Sequence, residues 1–244
     1  MSLVAALQFL TRVPIRLRRE PSLAKMVAWF PVAGAIIGTA VGGVAAGMWQ
    51  LTTPLVAAGV AVIVGLLITG AFHEDGLGDI ADAFGGGWTI ERRLEILKDS
   101  RHGTYGVSAI CASIVLRTTS LGAMPGPLDM FTAAVAAHTM ARVAAVGMAG
   151  TMKLASNTGL GADYGRSTTP LRALVGCSAG VGITTLAIGW WAAPLVVAAG
   201  VAAAGTGLLA RRKIGGISGD VLGAAEQVAE CLCLVVLSGL ALHR

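Results

Sequence analysis

The densest chemistry in this chain lies in "HEDGLGDIADAFGGG", residues 73–87, directly after the apolar run "PLVAAGVAVIVGLLITGAF". His73, Glu74, Asp75, Asp79 and Asp82 fall together, with no basic residue until Arg92. At 100° per residue, Asp79 lies about 40° from Asp75 on a helix and Asp82 about 20° to its other side. Three carboxylates therefore share one narrow stripe, where they repel one another and favour proton uptake. No Lys or Arg stands at i+4 to relieve them. A divalent cation resolves the repulsion, and hard oxygen donors suit Mg²⁺, which keeps several waters and commonly shares its shell with substrate phosphate. The competing reading is a solvated acidic face. Against it, Gly76, Gly78, Ala81 and Ala83 lie between the acids and leave room for a ligand. His73 is about 160° from Asp75 and reaches the same site only if the helix starts near Asp75.

Two more clusters carry polar chemistry. After "FGGGW" and the amphipathic "TIERRLEILKDS", the turn "KDSRHGTYG" crowds Asp99, Ser100, Arg101, His102 and Tyr105 together. Arg101 is placed to clamp a phosphate, with Asp99 holding that arginine or a metal. The alternative is an interfacial anchor with Lys98 snorkelling to the headgroups. The third cluster, "GGISGDVLGAAEQVAE", residues 215–230, puts Asp220, Glu226 and Glu230 within about 120° of one helix. Carboxylates inside a membrane are costly and read as functional by default, unless the span starts later and leaves Glu226 at the interface. Arg117 and Arg142, which also lie inside apolar runs, are their candidate ion partners. His102 and His138 carry less weight than His73.

The elements that must position these groups are membrane helices. Hydrophobic residues make up 55% of the 244 and charged residues 13%, with mean hydropathy +0.76; soluble domains carry roughly 25% charged residues. The expected fold is an all-α, polytopic membrane helical bundle of six or seven transmembrane helices, with loops and short helices on the cytoplasmic face. Each span needs about 20 apolar residues, which places spans near 30–50, 54–72, 105–123, 128–150, 171–189, 193–210 and 220–242. Residues 1–244 form a single integral-membrane domain. The N-terminal "MSLVAALQFLTRVPIRLRRE" reads as an amphipathic surface segment rather than a signal peptide. With the N-terminus in the cytoplasm, 15 of the 18 Lys and Arg residues fall in cytoplasmic segments, a clear positive-inside pattern. The formal charge of +5 is thus a topology signal, and no basic run interleaved with aromatics points to nucleic acid. Cys111, Cys177, Cys231 and Cys233 lie in apolar runs without zinc-ligand spacing and read as small buried hydrophobes. Gly34, Gly38 and Gly42, with Gly43 and Gly47, read as close helix packing rather than a passage.

These segments resemble the cobalamin synthase family, the membrane adenosylcobinamide-GDP ribazoletransferases, over nearly the whole chain. "FLTRVPI" and "WFPVAGAIIG" are similar to that family's N-terminal segment and first span. "HEDGLGDIADAFGGGWTIERRLEILKDSRHGTYG" and "GGISGDVLGAAEQVAE" are similar to its two long signatures, with Gly78, Ala83 and Ser218 as small departures. "ASNTGLGADYG" keeps the family's Gly159–Gly161 turn, with Asn157 ahead of it where a basic residue is common. The resemblance implies transfer of the adenosylcobinamide phosphoryl group from adenosylcobinamide-GDP to α-ribazole or its 5′-phosphate, releasing GMP, with Mg²⁺ as cofactor. Mapped here, Asp75, Asp79, Asp82 and Asp220 hold the metal, His73 or Glu74 helps the attacking hydroxyl lose its proton, and Arg101 steadies the leaving GMP. Lys98, Asp99, Ser100, Gly103, Gly159, Gly161, Gly219, Glu226 and Glu230 contact substrate. The location implied is the cell inner membrane, with lipid as a partner, the active site on the cytoplasmic face, and a homodimer as an allowed assembly. Two rivals are weaker. A CDP-alcohol phosphatidyltransferase motif needs Ala-Arg where "DGLGDI" has Asp79 and Ile80. A secondary transporter commonly shows two related halves, and none is visible here.

Overall fold

The computed structural model describes residues 2–16, 22–155 and 166–241. Gly159 and Gly161 lie outside the described residues, as do Arg18 and Arg19 of the N-terminal segment. The described elements are helices: α1 (Ser2–Leu10), α2 (Leu23–Met26), α3 (Phe30–Trp49), α4 (Pro54–Thr69), α5 (Phe72–Gly86), α6 (Ile90–Ile96), α7 (Thr104–Gly122), α8 (Pro127–Thr151), α9 (Pro170–Ile188), α10 (Ala192–Ile214) and α11 (Gly219–Ala241). No strand occurs among the described residues, and a lone parallel bridge joins Leu154 to Ile217. Proline opens α3, α4, α8 and α9 in the first turn, where its missing N–H costs nothing.

All seven expected spans form helices, but they are not equal. Leu23–Trp49, Pro127–Thr151, Pro170–Ile214 and Gly219–Ala241 are long and apolar enough to cross a membrane; the pair α4 and α5, bent by 90°, is a fifth if taken together. Helix α4 stops at Thr69 because Gly70 (φ 66°) and Ala71 (φ 55°) are both left-handed. Helix α7 falls short of that apolarity because it carries Arg117 and several hydroxyl residues. The stretch Pro170–Ile214 is a hairpin. Gly150 on α8 packs on Ala173 near its start, and Gly207 near its end packs on Met148 and Met152 of the same α8 turn.

This arrangement sorts the connections to two ends of the bundle. The acidic α5, the turn before α7 and the start of α11 share one end; the short links Gln50–Thr53, Ala123–Gly126 and Gly189–Trp191 lie at the other. The elbow between α4 and α5 is closed by the N-terminal segment. The Arg12 amide donates to the Ile68 carbonyl at 2.7 Å, and the Arg12 side chain lies across Gly70. Phe9 of α1 stacks on Phe30 at 5.5 Å and meets Phe72 of α5 edge-on at 5.6 Å.

The glycine stripe of α3 divides in two. A methyl group at Gly34, Gly38 or Gly42 would stand 2.6, 2.7 or 2.8 Å from an α8 carbonyl oxygen, whereas Gly43 and Gly47 have nothing within 4 Å. The expected packing role therefore holds for the first three alone. Gly38→Val is expected to cost about 1–3 kcal/mol by overpacking and Gly43→Val less than about 0.5 kcal/mol. Thermal unfolding midpoints of the two variants in one detergent check this; equal midpoints would refute the packing account.

Candidate active site

Helix α5 presents different chemistry on two faces. On the open face, Asp75 and Asp79 stand one turn apart and meet His102 from the turn before α7. One ligand atom from each of these three lies within 4.8 Å of the others. His102 Nε2 is 3.4 Å from Asp75 Oδ1, and its Nδ1 is 3.6 Å from Asp79 Oδ1. Asp75 is 67% exposed and Asp79 17%, so the pair opens outward from a half-buried base. Among the described residues, neither aspartate pairs with a Lys or Arg. These oxygens and the imidazole are the groups best placed to hold a divalent cation.

Asp82 occupies the same stripe but has other partners. Its carboxylate accepts the Gly103 amide at 2.6 Å and the Gly106 amide at 2.9 Å, satisfying free N–H groups at the start of α7. Asp82 thereby ties α5 to the turn that carries His102. Three of the glycines of α5 face protein. A methyl group at Gly76 would meet the Asp220 carbonyl at 2.9 Å, one at Gly78 the His102 ring at 3.0 Å, and one at Gly85 the Tyr105 ring at 2.8 Å. At Gly76 and Gly78 the room read from the sequence as space for a ligand is taken by α11 and by His102. Asp220 thus lies beside Gly76, with its carboxylate 3.4 Å from the Ser218 hydroxyl. Gly219 begins α11.

On the inner face, His73 and Glu74 point into a buried ion network. Glu74 Oε1 forms an ion pair with Arg117 Nη2 at 2.8 Å, and Arg117 Nη1 reaches Glu230 Oε1 at 3.2 Å. Glu230 Oε2 lies 3.2 Å from His138 Nδ1 and 3.6 Å from Arg142 Nη1. Arg142 also pairs with Glu226, whose other oxygen is 3.7 Å from His73 Nδ1 and accepts from Gln227 at 3.0 Å. Ser113 donates to Gln227 at 2.8 Å. All these side chains are buried. Arg117 and Arg142 are thus the ion partners of Glu226 and Glu230. The network joins four helices, α5, α7, α8 and α11, behind the face of α5 that carries the open acids.

The turn before α7 is exposed. Arg101 binds Asp99 in a two-pronged pair, Nε to Oδ1 at 2.9 Å and Nη2 to Oδ2 at 2.7 Å. Hydrogen bonds from Arg101 hold the Asp99 carboxyl down at about 2, so the pair stays ionised at neutral pH. Lys98 and Ser100 flank it on the surface. Arg93 fixes the preceding glycine turn, donating to the Gly87 and Trp88 carbonyls and, at 2.9 Å, to the Lys213 carbonyl at the end of α10. Sequence reasoning missed Arg93 and Gln227 and gave His102 and His138 little weight. One signal was available: His138 and Arg142, like Glu226 and Glu230, sit four apart, so two complementary stripes face each other.

Comparison with known proteins follows the same outline. Residues 2–238 match the family described as Cobalamin-5-phosphate synthase. The chain is 38% identical to the adenosylcobinamide-GDP ribazoletransferase of Ralstonia nicotianae, covering 97% of this chain and 94% of that protein. It is 38% identical to the protein of that name from Bradyrhizobium diazoefficiens, over 98% and 94% of the two chains. The like-named Ralstonia pickettii protein is 39% identical, over 96% and 93%. No solved structure matches. The chain belongs to the cobalamin-5-phosphate synthase family.

Arg117→Ala would leave Glu74 and Glu230 buried without their shared guanidinium, at a cost of about 3–5 kcal/mol. The exposed Arg92–Glu95 pair is the control, and Arg92→Ala should change stability by less than about 1 kcal/mol. Unfolding midpoints in detergent measure both; an Arg117→Ala midpoint as high as that of Arg92→Ala would show that the network does not hold the bundle together.

Proposed function

We propose that this chain, as a member of that family, is an adenosylcobinamide-GDP ribazoletransferase of the bacterial inner membrane. The reading is carried by near full-length similarity to relatives bearing that name. In the proposed reaction, a ribose hydroxyl of α-ribazole or its 5′-phosphate attacks the cobinamide-side phosphorus of adenosylcobinamide-GDP. A new P–O bond forms, the P–O bond to GMP breaks, and the hydroxyl proton is lost.

The described side chains support a division of labour. Asp75 and Asp79 offer hard, outward-facing oxygens without a Lys or Arg partner among the described residues, a donor set that fits Mg²⁺. When bound, such an ion supplies neutralisation of charge on the pyrophosphate oxygens. Arg101, already oriented by Asp99, is the group we assign to the departing phosphate. Catalysis of this kind is mostly positioning and fixed charge. We assign His73 and Glu74, which are drawn inward by Glu226 and Arg117, to holding α5 in place rather than to accepting the proton directly. Asp82 has the matching task for the turn before α7.

The proposed orientation places the acidic end in the cytoplasm. Arg12, Lys25, Arg92, Arg93, Lys98, Arg101, Lys153, Arg172, Arg211, Arg212 and Lys213 gather at that end, while the three links at the other end carry no Lys or Arg. Lipid and the two substrates are the proposed partners.

The test is GMP release by purified protein in detergent, given adenosylcobinamide-GDP and α-ribazole, first with Mg²⁺ and then with EDTA. We expect GMP only with metal and both substrates, together with a cobalamin product. Asp79→Ala should lower turnover about 10²–10³-fold at saturating Mg²⁺. Metal-independent release, or wild-type turnover by Asp79→Ala, would remove the metal assignment; folded protein that releases no GMP would remove the activity itself.

A further inference from the structure

We propose that a small cavity inside the bundle, beside the buried ion network, is a binding site for a water molecule held by Arg117 and His138. The site is separate from the open acids of α5 and does not depend on the activity proposed above. The cavity measures about 10 Å³, counted over the positions that the centre of a water can take. Space of about 10–15 Å³ on that measure holds one water. Val41 of α3, Leu121 of α7 and Leu234 of α11 wall it with carbon, and Arg117, His138 and Glu230 supply its polar lining.

Two of these polar side chains have a nitrogen that the network leaves over. Arg117 spends Nη2 on Glu74 at 2.8 Å and Nη1 on Glu230 at 3.2 Å. Its Nε is buried and has no hydrogen-bond partner among the described residues. His138 turns Nδ1 to the network, 3.2 Å from Glu230 Oε2 and 3.1 Å from Arg142 Nη1. Its Nε2 stands on the opposite edge of the ring and makes no hydrogen bond among the described residues. Arg117 is 3% exposed and His138 6%, so bulk solvent does not serve either nitrogen. A polar group taken out of water is costly unless something else bonds it.

The chemistry of the lining selects water. A cavity walled by carbon alone stays dry, whereas polar partners retain a water. The Arg117 Nε–H can only donate, and the His138 Nε2 donates or accepts according to which ring nitrogen carries the proton. Water accepts from Arg117 and serves His138 in either state, with the Glu230 carboxylate as a further acceptor. An anion would be repelled by Glu230 and a cation by Arg117. An acyl chain would leave both nitrogens unpaired. The water thus completes the bonding of Arg117, the residue that draws Glu74 and with it α5 onto the bundle.

The experiment is radiolytic hydroxyl-radical labelling of the full-length protein in detergent, read residue by residue by mass spectrometry. A bound water yields radicals where it sits, and these oxidise the side chains around it. Leu121 and Leu234, 2% and 3% exposed, should be oxidised in wild type well above Leu195, which is 0% exposed and does not line the cavity. Gly65→Ala adds a methyl group to the cavity wall, 3.3 Å from Val41 Cγ2, and should lower both labels to the level of Leu195. Wild-type labels no higher than that of Leu195, or labels that Gly65→Ala leaves unchanged, would overturn the proposal. A density map of the wild-type protein that resolves waters decides the question even if the variant folds poorly. Water within about 3.2 Å of both Arg117 Nε and His138 Nε2 is the expected result; a void or an acyl chain in that place would remove the site.

Discussion

The fold depends on the fact that an ion buried among apolar helices must find its partner inside the protein. Glu226 and Glu230 on α11 are buried among apolar helices, and Arg142 and Arg117 supply the charge they lack. Each arginine comes from a different helix, so pairing the charges also fixes α7 and α8 against α11. Glu74 is a third carboxylate in the network and pairs with Arg117. Its demand for Arg117 draws the acidic helix down onto the bundle instead of leaving it as a solvated arm. Three carboxyl groups thus face two guanidinium groups, and His73 and His138 stand beside them.

Close approach is what allows those partners to meet, and glycine supplies it. Gly76 of α5 crosses α11 beside Gly223, and a methyl group at Gly76 would reach the α11 backbone at 2.9 Å. Gly34 lets α3 lie on His138 and Arg142 of α8, so the packing that seats the first span also confines the arginine. At the elbow between α4 and α5, left-handed Gly70 and Ala71 turn the chain through 90°. A non-glycine residue in that conformation costs roughly 1–2 kcal/mol. The Arg12 amide on the Ile68 carbonyl and the Phe9 contacts with Phe30 and Phe72 hold the turn that demands it.

Much of this was legible from the sequence because it is written in composition and period. Long apolar runs, prolines in first turns and basic residues at alternate links mark the helices and their two ends. Family resemblance through the long signatures pointed to the activity that the relatives carry by name. Other features were hidden for a physical reason: they are contacts between distant parts of the chain. The helical wheel places Asp82 beside Asp75 and Asp79, yet its two oxygens serve amides 21 and 24 residues away. Gly76 and Gly78 between the acids look like vacant space in one dimension; in three they admit α11 and His102. The break after Thr69 is equally silent, since "ITGAF" continues an apolar run and one glycine does not announce a right-angle turn.

The adjacent pair Glu74 and Asp75 shows how the constraint becomes a site. Neighbours on a helix point about 100° apart, so one faces Arg117 in the bundle while the other faces His102 and the open end. Burying Glu74 therefore orients Asp75, and with it Asp79 one turn on. Asp82 then binds the turn that carries His102 and, just before it, the Asp99–Arg101 pair. The inward charges fix the angle of α5, and Asp82 fixes what stands opposite its outward charges. A mutation in the buried network can on this account disturb the open acids without touching them, because both faces belong to one rigid helix.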